Sequence, residues 1–79
     1  MNLNECCNLI RNIVRNTTNT EITIRADDEE NIWKFRISLD HGDTDYLSTV
    51  LRILRRTKFD ATFDSSNAEL VIEDRKKEA

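Results

Sequence analysis

The chain has no proline and one glycine, Gly42. A loop that cradles phosphates needs several glycines so that backbone N–H groups can close on the ligand, and neither the dinucleotide-binding nor the P-loop pattern is present. One histidine, His41, stands beside Asp40 and Asp43. A histidine-based triad needs a nucleophile and an orienting carboxylate around it, and His41 reads instead as a solvent-facing turn residue. The two cysteines, Cys6 and Cys7, are adjacent, so they cannot staple distant parts of the fold, which suits a reducing compartment. On a helix they point about 100° apart, and with His41 they still lack a fourth zinc ligand. Cys6 reads as a small core residue and Cys7 as the core margin. Long apolar runs are missing as well: no stretch reaches membrane-spanning length, and residues 1–7 carry neither the basic nor the apolar segment of a secretory signal. The expectation is a cytoplasmic protein with no catalytic set, no metal and no cofactor.

What is there is short and periodic. With 79 residues, 34% charged and 38% hydrophobic, the chain holds one domain, residues 1–79, near the lower size limit for a single apolar core, so self-association as a homodimer would help it. The clearest element is a helix over residues 44–58, where Leu47, Val50, Leu51 and Leu54 recur at helical spacing and Tyr46 and Ile53 widen the stripe. Asp43, Thr44 and Asp45 are capping candidates at its start; cations gather at its end.

Taken in order, Asn2 or Asn4 caps a first helix up to Asn16, with Leu3, Cys6, Leu9, Ile10, Ile13 and Val14 on one side. The polar residues 16–19 end it, because their side chains compete for backbone hydrogen bonds. Residues 21–25 alternate as a first strand. Residues 26–31, with the acids Asp27, Asp28, Glu29 and Glu30, read as a solvated hairpin loop without the spacing or central glycine of a calcium loop. Residues 32–39 form a second strand, Trp33, Phe35, Ile37 and Leu39 inward and Lys34, Arg36 and Ser38 outward. After a turn at 40–43 and the second helix come a strand at 59–64, a turn at 65–67, a strand at 68–73 with Leu70 and Ile72 inward, and a charged tail at 74–79 that frays.

This is an α+β, two-layer sandwich in the order α-β-β-α-β-β, with both helices on one face of a four-stranded antiparallel-rich sheet. Placing the second strand beside the fourth pairs outward Lys34 and Arg36 with Glu69 and Glu73, which gives the order 1-2-4-3. The same order results from moving the first strand of a ferredoxin-like sheet to the C-terminal end, an architectural analogy only. A tandem αββ repeat is a second way to see it: residues 10–17 align with 50–57, with Ile13/Ile53, Arg15/Arg55 and Thr17/Thr57 identical.

Charge is the remaining functional signal. The net charge of -3 favours neither a nucleic-acid coat nor an anionic membrane. The helical segments are net positive, through Arg11, Arg15, Arg52, Arg55, Arg56 and Lys58, and the rest is net negative, through Asp27, Asp28, Glu29, Glu30, Asp60 and Asp64 among others. Asp60, Asp64, Glu69 and Glu73 on the open sheet face could be paired for acid-base work, but a wet face needs such residues anyway. The expected function is a small non-enzymatic binding or regulatory protein that docks onto a macromolecular partner, most naturally a protein, with its acidic side on a basic groove or its helical side on an acidic one, an adaptor or inhibitor of the kind carried by phage and other mobile elements. The alternative is a nucleic-acid-binding protein that holds phosphates with the helix-surface arginines. The open sheet face offers no aromatic for base stacking, and cations at helix C-termini are expected from the dipole alone.

Overall fold

The structure, a computed structural model, describes residues 1–39 and 45–75. Helix α1 spans Leu3–Thr18. Asn2 starts it with a reciprocal cap: its side chain accepts the Glu5 N–H at 2.9 Å and its own N–H donates to Glu5 Oε1 at 3.1 Å. The helix runs two residues beyond the expected Asn16, because the Thr17 and Thr18 hydroxyls donate back to the carbonyls of Ile13 and Val14 at 2.8 Å and leave the ladder intact. Asn19, left-handed at φ 57°, then closes the end by donating its N–H to Arg15 O.

Strand β1 covers Ile24–Asp28 and β2 covers Ile32–Ser38. The first strand therefore lies further along than residues 21–25, and Asp27 and Asp28 belong to it rather than to the hairpin loop. Each finds a reason to pair: Asp27 lies opposite Lys34 and beside Arg36, and Asp28 lies opposite Trp33, whose indole N–H donates to its Oδ1 at 3.0 Å. The turn shrinks to residues 29–31, closed by the Glu29 N–H on Ile32 O at 3.0 Å.

Helix α2 spans Leu47–Thr57, with Tyr46 as an N-cap residue that makes no side-chain capping bond. The capping candidates Asp43 and Thr44, like the turn at His41, lie outside the described residues; Asp45 sits in a short 3₁₀ turn before the helix. Tyr46 does not widen the apolar stripe. It is 46% exposed, because it precedes the first turn whose side chains are phased onto the sheet.

Strands β3, Asp60–Asp64, and β4, Glu69–Arg75, complete the fold. Ala68 falls in the turn rather than in β4, left-handed at φ 53°. Strand β4 runs to Arg75, past the expected Glu73, because Asp74 continues the inward face of Leu70 and Ile72 and finds partners there. The sheet order is β1-β2-β4-β3, antiparallel throughout, and each half of the chain is a helix followed by a hairpin. Cys6, Ile10 and Val14 from α1 and Val50 and Leu54 from α2 bury against Phe35, Ile37, Phe59, Ala61, Leu70 and Ile72. Each fully buried large side chain contributes roughly 1.5 to 3 kcal/mol.

The two edges of the sheet are unlike. Antiparallel ladders alternate between hydrogen-bonded and non-bonded pairs. The Glu29–Ile32 bond puts the bonded pairs of β1 and β2 at Asp27/Lys34 and Arg25/Arg36, so Ile24 and Ala26 turn their N–H and C=O toward the free edge. The bond from the Leu39 N–H to Ala68 O puts the bonded pairs of β2 and β4 at Ile37/Leu70 and Phe35/Ile72. Alternation across β4 and β3 then leaves Ala61 facing the other edge, and there the Arg55 Nε of α2 donates to its carbonyl at 3.0 Å.

Candidate functional site

The helix-surface cations are largely engaged by the chain itself. Arg11 donates to Asn8 Oδ1 at 3.1 Å, and Arg15 lies 3.4 Å from Glu21 Oε1. Arg55 is held on the Ala61 carbonyl, and Lys58 sits 3.0 Å from Asp74 Oδ2 with its ammonium 5.5 Å from the centre of the Phe59 ring. Arg52 and Arg56 are exposed and have no hydrogen-bond or ion-pair partner among the described residues. The set therefore does not act as one phosphate-facing array: two of its members brace β3 and β4.

The acidic residues divide differently. Asp27 and Asp60 stand in one row across the open face, Asp27–Lys34–Glu73–Asp60, spanning three strand spacings, about 14 Å. Glu29 and Glu30 extend past Asp27 at the hairpin tip, so Asp27, Asp28, Glu29, Glu30 and Asp60 share one end of the sheet. Asp64 lies at the opposite end and is committed to the β3–β4 turn. It accepts the Ser66 N–H at 3.0 Å and the Asn67 side-chain amide at 2.9 Å, and those bonds, with Asn67 the strongest, hold its carboxyl below the ordinary aspartate range. Glu29, Glu30 and Asp60 are exposed and have no ion-pair partner among the described residues.

A shallow depression of about 400 Å³ lies between these ends, lined by Arg25, Arg36, Asn67 and Glu69. Arg25 and Arg36 are direct cross-strand neighbours, a like-charge pairing that needs compensation. Glu69 supplies most of it: Arg25 reaches across β2 to ion-pair with Glu69 of β4, which is only 7% exposed although it faces the open side. Arg36 adds a 4.0 Å contact with Asp27. Alternation that stops at Arg25 does not reveal this pairing or the burial of Glu69. Extending the alternation through Asp27 places both Arg25 and Asp27 on the open face.

Under the helices, Cys6 Sγ donates to Asp74 Oδ2 at 3.3 Å beside the Lys58 contact. Burial first, then this bond, pushes the Cys6 thiol up to about 11. Burial also raises the Cys7 thiol. A protonated, inward thiol is a poor nucleophile and a poor metal ligand. Among the described residues no three His, Cys, Asp or Glu side chains are placed to hold a metal, and no helix is long and apolar enough to cross a membrane. No protein-family model, curated protein or solved structure matches the chain.

Proposed function

We infer that this is a small non-enzymatic binding protein, an adaptor or inhibitor, that docks the acidic end of its sheet onto a basic surface of a protein partner. One observation carries the reading: Lys58 and Arg55, two of the six helix-layer cations, are turned onto β4 and β3, while Glu29, Glu30 and Asp60 project from one end with no ion-pair partner among the described residues. Exposed charge of one sign steers association and selects partners of the opposite sign.

Capture of the tagged chain's partners from its native host, with and without nuclease, tests this in parallel with two charge reversals. The expected result is a protein that stays bound after nuclease, is released by salt, and is lost with E29K/E30K/D60K but kept with R52E/R56E. Capture of nucleic acid that disappears with R52E/R56E would overturn it in favour of phosphate contact by the exposed arginines.

A further inference from the structure

We propose that two copies of this chain pair through the free edges of β1, antiparallel and centred on Ala26, to make one continuous eight-stranded sheet. The backbone supplies the ladder. Ile24 and Ala26 direct their N–H and C=O away from β2, and Ala26 is exposed, with a side chain too small to obstruct a neighbour. A two-fold axis at Ala26 makes it a hydrogen-bonded pair with its own copy, donating and accepting once in each direction.

The charges select that register. With Ala26 opposite Ala26 of the second copy, Arg25 of each faces Asp27 of the other in the closer, non-bonded positions, on the open face where both side chains are 63% exposed. A slip of two residues one way sets Arg25 against Arg25; a slip the other way sets Asp27 against Asp27. A slip of one residue sets outward backbone groups against inward ones and breaks the ladder. The guanidinium of Arg25 has donors enough to keep Glu69 of its own chain while meeting Asp27 of the copy.

The assembly closes at two. On the opposite edge, β3, Arg55 of the overlying helix occupies the outward Ala61 carbonyl and leaves Phe63 as the other outward residue, so β1 is the less obstructed edge. A homodimer through one edge also suits a chain of 79 residues, whose single core is small.

Light scattering on a sizing column and sedimentation equilibrium test the proposal, with circular dichroism to verify folding. The wild-type chain is expected to be a dimer. A26P removes an N–H that points to the edge and not to β2, and is expected to give a folded monomer. D27R places arginines opposite Arg25 and is expected to raise the dimer dissociation constant by about tenfold or more, some 1.4 kcal/mol. R25D, with two acids, and D27R, with two cations, are each expected to be monomeric alone and to form a heterodimer when mixed. R25D also leaves Glu69 without its partner, and D27R sets a cation against Lys34 and Arg36 of its own chain; if either fails to fold, A26P decides. A wild-type chain that stays monomeric at its highest soluble concentration, or a dimer that A26P and D27R leave intact, overturns the proposal.

Discussion

Asp74 points the same way as Leu70 and Ile72 yet carries a carboxylate, and it is 7% exposed. Lys58 meets its charge from the end of α2, and the Cys6 thiol donates to it from α1. Taking away one partner leaves a buried charge unpaired, which costs more than the pair contributes. Because Lys58 is itself about a third exposed, K58M is expected to lower the unfolding free energy by about 1–3 kcal/mol in urea titration. K58M/D74L, which removes both charges, should recover most of that loss; an unaltered stability in K58M would show that the contact contributes nothing. Cys6 gives the same cluster a pH dependence. Its thiol titrates near 9.0 when unfolded and about 11 when folded. The folded chain binds more protons in that window, so this contribution is fully present below pH 9 and is lost as pH rises toward 11. The fall amounts to about 2–3 kcal/mol at most. C6A is less stable throughout, from the cavity it leaves, but its stability should decline less steeply over the same range.

At the scale of elements, the two edge strands have opposite treatments although both are five residues long. On β3 a side chain from the overlying helix satisfies the outward carbonyl of Ala61; on β1 charged Arg25 and Asp27 flank an open Ala26. An unblocked edge is a template for another strand. R55A is therefore expected to form species larger than the wild-type assembly, growing with concentration in light scattering, while its circular dichroism stays the same. An unchanged size would show that α2 itself, and not Arg55, covers that edge. The elements were legible wherever apolar spacing decided the outcome: α1, β2 and β4 turn the residues expected of them toward the core, α2 does so with Leu47, Val50, Leu51 and Leu54 but not Tyr46, and the opposed charges of Lys34 and Glu73, 3.7 Å apart, agree with the 1-2-4-3 order. Boundaries failed where a polar side chain had a partner that no local pattern reveals. Thr17 and Thr18 look like helix breakers until their hydroxyls are seen on the preceding turn, and Asp27 and Asp28 look like loop until Arg36 and Trp33 are seen beside them.

For the molecule as a whole, the sum of charge was readable but its availability was not. Six helical cations look equivalent in sequence; the fold binds Lys58 to Asp74 and Arg55 to a carbonyl and leaves Arg52 and Arg56 outward. The acidic candidates look alike in sequence as well, yet register separates Asp64, half-buried in its turn, from the end shared by Glu29, Glu30 and Asp60. The strand order has a kinetic side. Both hairpins join neighbours in sequence, whereas β2 and β4 meet across the whole second helix and third strand. Among the strand pairings, closing that central seam spans the most chain and carries the largest loop entropy, so it is expected to weigh most on the folding rate. Changes at Phe35, Ile37, Leu70 or Ile72 should slow refolding, and changes at either hairpin tip should chiefly hasten unfolding.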